Sequence, residues 1–112
     1  MTDCLFCRIA AGEIPARIVH QDADVVAFHD ISPQAPTHVL VIPRRHVGSL
    51  AESVAGDQAL LGRLLGVAAE IARSENLASW RLVSNSGEDA GQSVAHLHLH
   101  VLGGRRFSWP PG

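Results

Sequence analysis

Apolar residues recur along this chain with two different periods. Between about Gly56 and Asn76, the residues Leu60, Leu61, Leu64, Leu65, Ala68, Ile71 and Ala72 fall at i, i+3, i+4 spacing. Arg63, Glu70 and Arg73 take the opposite side, so the period predicts one long amphipathic helix. Gly62 and Gly66 sit inside it, each costing about 1 kcal/mol relative to alanine. They read either as tolerated accidents or as places where another backbone comes close. Elsewhere the apolar runs are short. Arg17–Gln21 and Val25–Phe28 flank the polar Asp22-Ala23-Asp24 and predict a hairpin. His38–Ile42 predicts a buried strand stopped by Pro43, entered from the stiff loop Ser32-Pro33-Gln34-Ala35-Pro36. Trp80–Ser84 and Val94–Leu102 predict two more strands, separated by the polar loop Ser86–Ser93, with Gly103-Gly104 closing the last. Residues 4–11 predict a short helix ended by Gly12 and Pro15. The expected fold is α+β: an antiparallel sheet of about five strands, one long helix and a short N-terminal helix.

Composition narrows the classes of function. The 112 residues make one domain, and 46% apolar content suits a globular core. Nine basic against eleven acidic residues give a net charge of −2, which leaves no basic stripe for nucleic acid. Every basic residue is arginine; without lysine there is no Schiff-base chemistry and no Walker-type phosphate loop. Two cysteines are too few for a disulfide framework. The first residues carry Asp3, Arg8 and Glu13 with no apolar core of a signal peptide. Runs such as Val39–Ile42 are far too short for a membrane span. A cytoplasmic protein with no membrane or nucleic-acid partner is expected. Seven histidines stand out, because three of them fall within five residues.

Those three form His96-Leu97-His98-Leu99-His100. On a strand, alternate side chains face the same way, so the imidazoles would line one face roughly 6–7 Å apart. Leu97, Leu99 and Val101 would enter the core from the other. A row of imidazoles suits two chemistries: metal ligation, or attack on phosphorus by one neutral ring beside a stabilising neighbour.

The run His96-Leu97-His98-Leu99-His100-Val101-Leu102 resembles the signature of the histidine-triad (HIT) superfamily. The stretches Ala27–His38, Gly91-Gln92-Ser93-Val94, Gly103-Gly104-Arg105 and Trp109-Pro110-Pro111-Gly112 are similar to its Hint branch, the purine-nucleoside phosphoramidases. The resemblance runs from about Phe6 to Gly112. It implies hydrolysis of an AMP–N bond to AMP and an amine, with no catalytic cofactor. His98 is then the nucleophile that carries the nucleotide covalently, its other N–H held by a backbone carbonyl. His100 binds the phosphate oxygens, and its positive charge would stand in for a catalytic metal. Close like charges would make His98 and His100 titrate as a coupled pair. Ser93 lies near the leaving group, and His38 relays a proton or is simply a bonded strand histidine. Gly91 and Gln92 bring backbone N–H groups near the phosphate, with Asn85 beside them. Asp30 accepts from the ribose hydroxyls. Phe6, Ile9, Phe28, His29 and Ile31 wall the purine pocket. The resemblance also implies a homodimer, with the long helix at its interface and the tail, including Trp109, bordering the partner's site. Alternatives are a dinucleoside polyphosphate hydrolase and a nucleotide-binding interaction protein with little activity.

Cys4-Leu5-Phe6-Cys7 has the spacing of a zinc knuckle, and two thiolates need two further ligands. His46 and His96 are the candidates, matching a Cys/Cys/His/His site of bacterial HIT proteins. A structural zinc, two thiols and a redox pair are the three readings of this motif. If His96 binds metal, it is not part of the catalysis. His20 alone keeps a surface role.

Overall fold

The computed structural model describes residues 3–112. A short helix, α1 (Leu5–Ala10), precedes strands β1 (Ile18–Gln21), β2 (Val25–His29) and β3 (Thr37–Pro43). Two 3-10 turns, Leu50–Glu52 and Ala55–Asp57, lead into the long helix α2 (Gln58–Ser74). Strand β4 (Trp80–Val83), a third 3-10 turn (Glu88–Ala90) and strand β5 (Leu99–Gly103) complete the chain. The five strands form one antiparallel sheet in the order β1-β2-β3-β5-β4. This is the α+β architecture that the periodicity predicts.

The alternation of each strand sorts side chains onto two faces. Val25 and Ala27 of β2, Val39 and Val41 of β3, and Leu99 and Val101 of β5 pack on Leu64, Val67, Ala68 and Ile71 of α2. Truncating a fully buried leucine such as Leu64 to alanine costs about 2–5 kcal/mol. Val26, Phe28, Leu40 and Ile42 turn to the opposite face, where Phe6 of α1 covers them. Helix α1 starts because the Cys4 side chain accepts from the Cys7 amide, satisfying one of the N–H groups a helix start leaves open. The β1–β2 turn is closed by Asp22, whose Oδ1 accepts from the amides of Asp24 (2.8 Å) and Val25 (2.9 Å), an Asx turn. Arg63 of α2 and His20 both bind its other oxygen, at 2.6 Å each.

The sequence-based boundaries need correction at the last strand. Val94–Leu102 was the expected span, yet the ladder begins only at Leu99. Val41 pairs with Leu99, so continuing the register would set Leu97 opposite Pro43. Proline has no N–H to give the ladder, and the Leu97 amide bonds Val47 O instead (2.6 Å). His96 therefore sits in a bend, and His98 lies outside the ladder. The facing survives the lost pairing: Leu97 joins Leu99 and Val101 in the α2-side core. Smaller shifts are that Pro43 ends β3 from inside it, Gly103 belongs to β5, and β4 stops at Val83.

Gly62 and Gly66 lie on the exposed side of α2, and a Cβ at either would meet nothing within 4 Å. No close backbone approach occurs there within one chain. Among the described residues, no helix is long and apolar enough to cross a membrane.

Candidate active site and candidate metal centre

On the α1 side of the sheet the histidines fall into two neighbouring clusters, and backbone groups fix which nitrogen of each ring carries the proton. His98 Nδ1 lies 2.7 Å from the His96 carbonyl. A carbonyl only accepts, so Nδ1 carries the proton and Nε2 keeps its lone pair. Ser84 Oγ also donates to the His98 carbonyl (3.3 Å), so both the ring and the main chain of that residue are held. The His98 ring packs edge-on to Phe6, centroids 5.1 Å apart, and stands 5.0 Å from the His100 ring.

His38 is set in the opposite sense. The Gln34 amide donates to His38 Nδ1 (3.0 Å), so that nitrogen is bare and the proton sits on Nε2. His38 Nε2–H then donates to His100 Nδ1 (2.9 Å), with Asp30 Oδ2 at 3.4 Å. His100 is left with its own proton on Nε2. Burial pushes His38 below the usual imidazole value, against the pull of the Asp30 carboxylate. Burial, then the neighbouring His98 and His38, pushes His100 down to about 4. The positive charge expected of His100 beside a phosphate is therefore not carried by the ligand-free protein. In the free protein it is a neutral hydrogen-bond donor, because a second charge between two imidazoles in a desolvated site is unfavourable.

His96 is fully buried, and its Nε2–H donates to the Pro43 carbonyl (2.8 Å). That bond presents a bare Nδ1 to Cys4 Sγ (3.2 Å), Cys7 Sγ (3.5 Å) and His46 Nδ1 (3.1 Å). Cys7 Sγ is also 3.3 Å from His46 Nδ1. All four ligand atoms lie within 4.8 Å of one another. The edges of a tetrahedron with zinc-type bond lengths are about 3.3–3.8 Å, so the cluster is close to the shape a metal ion needs. The carbonyl behind His96 is the orienting partner that metal-bound imidazoles normally have. The four expected ligands thus come together in one site that is able to hold a metal ion.

Asp30, His38 and His100 also bring ligand-type atoms within 4.8 Å, but their protonation argues against a metal. An ion on His38 Nε2 would displace its proton while Nδ1 stays bare against the Gln34 amide. The ring would have to become an anion. This trio is arranged to pass a proton, whereas the cysteine cluster is arranged to share its lone pairs.

Two grooves flank the histidines. One, of about 660 Å³, is lined by Ile9, Phe28, His29, Asp30 and Ile31 together with Leu5, Ile14 to Arg17 and Pro33. It gathers four of the five expected purine-wall residues and Asp30. Phe6 lies behind them, buried against Phe28 and both buried triad rings. Ile31 stands at the rim, 99% exposed. The contribution of residues 14–17 was missed, since Pro15 reads only as a helix terminator. The second groove, about 670 Å³, is lined by Gly87, Glu88, Gly91, Gln92, Ser93 and Ala95. Here the Gly91 amide bonds Glu88 O (2.9 Å) and the Gln92 amide bonds Gly87 O (3.1 Å). The Gln92 side chain accepts from the Gly87 amide and donates to Gly48 O and Val94 O. Gln92 therefore staples the loop. Ser93 is exposed, Asn85 is half-buried, and Trp109 is exposed at the tail. Two main-chain groups that orient the histidines, the Pro43 carbonyl and the Gln34 amide, leave no side-chain signature of that role in the sequence.

A five-stranded antiparallel sheet with this helix arrangement, carrying His96, His98 and His100, is the architecture of the HIT class of proteins. A HIT domain profile matches residues 11–107. An uncharacterized HIT-like protein of Synechocystis is 50% identical over 111 residues, covering 98% of this chain and 97% of its own length. A HIT-like protein of Synechococcus elongatus matches at the same identity and coverage. Among solved structures, a HIT family hydrolase from Legionella pneumophila superposes with a TM-score of 0.96 at 48% identity, covering 98% of this chain and 100% of that one. A histidine triad protein from Clostridium difficile gives 0.93 at 38% identity, with 96% of each chain covered. The chain belongs to the HIT family.

Proposed function

We propose that this HIT protein hydrolyses the P–N bond of purine nucleoside 5'-phosphoramidates, releasing AMP and an amine through a nucleotidyl-His98 intermediate. The observation that carries this reading is the bond from His98 Nδ1–H to the His96 carbonyl (2.7 Å), which leaves Nε2 free to attack. In the first step the Nε2 lone pair forms a bond to the α-phosphorus. The P–N bond to the leaving group breaks, and its electron pair departs with the amine, which takes up a proton from solvent that the attacking water of the second step gives back. In the second step water attacks phosphorus, the P–Nε2 bond breaks, and AMP leaves. His100 Nε2–H donates to a phosphate oxygen, and the negative charge there favours the charged form of that ring. Ser93 assists the departing amine. Asp30 takes the ribose hydroxyls at the mouth of the apolar groove, where Phe28, Ile9 and Ile31 cover a base.

The cysteine cluster fits a structural zinc held by Cys4, Cys7, His46 and His96, which would tie the start of α1 to the sheet. The exposed side of α2 carries Gly62, Gly66 and Leu65 and supports a homodimer through that helix. A cytoplasmic location completes the reading. The test is incubation with adenosine 5'-phosphoramidate and, separately, a diadenosine polyphosphate. Mass spectrometry of an acid-free quench is expected to find AMP on His98 with the first substrate. Turnover of the polyphosphate alone, or an adduct elsewhere, would overturn the reading.

A further inference from the structure

We propose that Arg105 is a positioning residue for the reacting histidines: it holds the Gln34 carbonyl, and the Gln34 amide selects the Nε2–H forms of His38 and His100. The role of that proton in turnover rests on the hydrolase reading above; the selection itself does not. Arg105 follows β5 directly, and its Nε–H donates to Gln34 O (2.9 Å) while a second guanidinium N–H donates to Arg106 O (3.0 Å). Its guanidinium lies over the Phe107 ring at 4.2 Å, with Arg81 also against that ring at 5.0 Å. Arg81 in turn donates to Ser108 O (2.9 Å). The two arginines therefore tie the tail down as a strap around the half-buried Phe107. It also runs close to the loop at Gly104, whose φ is +91° and where an added Cβ would sit 2.9 Å from Pro36.

The strapped loop carries the selecting amide. Its own bonds run from the Gln34 side chain to Ser32 O (3.0 Å) and from the Ser32 amide to Asp30 Oδ1 (2.8 Å). Gln34 C=O and N–H flank one α-carbon, so holding the carbonyl restricts the direction of the N–H. That N–H faces His38 Nδ1 at 3.0 Å. If it swings away, His38 is free to move its proton to Nδ1. Its bare Nε2 then accepts from His100, and His100 loses the Nε2–H that faces the phosphate. An arginine is suited to the strap because its planar fork bonds a carbonyl and stacks on an aromatic ring at once.

The test is a two-bond ¹⁵N–¹H histidine spectrum of the full chain at neutral pH. Wild type is expected to show His38 and His100 as Nε2–H forms and His98 as the Nδ1–H form. Arg105→Ala is expected to move the His38 and His100 signals toward a mixture and leave His98 in place. Arg105→Lys, which keeps the charge but loses the planar stack, is expected to move the same two signals less. With adenosine 5'-phosphoramidate, kcat of Arg105→Ala should fall about tenfold at nearly constant KM. A wild-type spectrum with His38 protonated on Nδ1 overturns the proposal, as do folded Ala and Lys variants that keep the wild-type pattern. The expected spectra from a protein that does not turn the substrate over would reject the hydrolase reading and leave the positioning intact.

Discussion

The two histidine clusters lie side by side on one face of the sheet, built from the same side-chain chemistry, yet backbone groups prepare them for different tasks. At the cysteine cluster, the Pro43 carbonyl takes the outer N–H of His96 and turns its lone pair inward, toward two sulfurs and a second imidazole. At the other, the Gln34 amide takes the outer lone pair of His38 and turns its proton inward, toward His100. A carbonyl behind the ring leaves a lone pair on the far nitrogen, as in His96 and His98; an amide behind the ring leaves a proton there, as in His38. His96 belongs to both sides. Its ring faces the sulfurs while its own carbonyl holds the Nδ1 proton of His98. Identical residues thus acquire separate jobs from the polarity of one main-chain neighbour.

Substitutions should separate the two clusters. The largest effect is expected at His98, where His98→Ala should lower phosphoramidate turnover by at least on the order of 10³-fold. Metal content and circular dichroism should be unchanged; near-wild-type rates would remove His98 from the chemistry. Replacing both Cys4 and Cys7 by serine should abolish binding of one equivalent of zinc, measured by atomic absorption. The midpoint of thermal unfolding should fall by about 5–10 °C relative to the zinc-loaded wild type. Turnover of the folded fraction should fall far less than in His98→Ala; an equal fall would mean that the clusters are not separable.

A smaller effect is expected from pH. His38 and His100 are held below the ordinary value of 6.5, His100 at about 4. Between those values the unfolded chain binds protons that the native chain refuses, so stability falls as pH drops from about 6.5 toward 4 and is flat above. The double serine protein with a chelator present is suited to this measurement, since metal release then contributes nothing. His38→Gln should make the slope shallower, and an unchanged slope would show that His38 is not one of the protons.

The sheet, the long helix and the histidine stripe were legible because each rests on a side-chain period or on a spacing of chemically distinctive residues. Cys4, Cys7, His46 and His96 were legible as a set for the same reason, although 89 residues separate Cys7 from His96. What stayed hidden was carried by the main chain. Nothing in the alternation from Val94 to Leu102 shows that Pro43 will end the ladder opposite Leu97. No side chain announces that the Gln34 amide will orient His38. The protonation of His100 was hidden for a related reason: the residue type gives an ordinary pKa, and it is burial first, then the neighbouring His98 and His38, that lowers it in the folded chain. The wall at residues 14–17 was hidden because proline after a helix carries a stronger local meaning than a remote one.

The division between the clusters is tested most directly by adding zinc stepwise to metal-free protein and following all seven histidines by their ring ¹⁵N signals. The first equivalent is predicted to shift His46 and His96 and to leave the tautomers of His38, His98 and His100 as they were. A first equivalent that shifts His38 and His100 would contradict the account, because the metal would then have gone to the rings arranged to hold a proton.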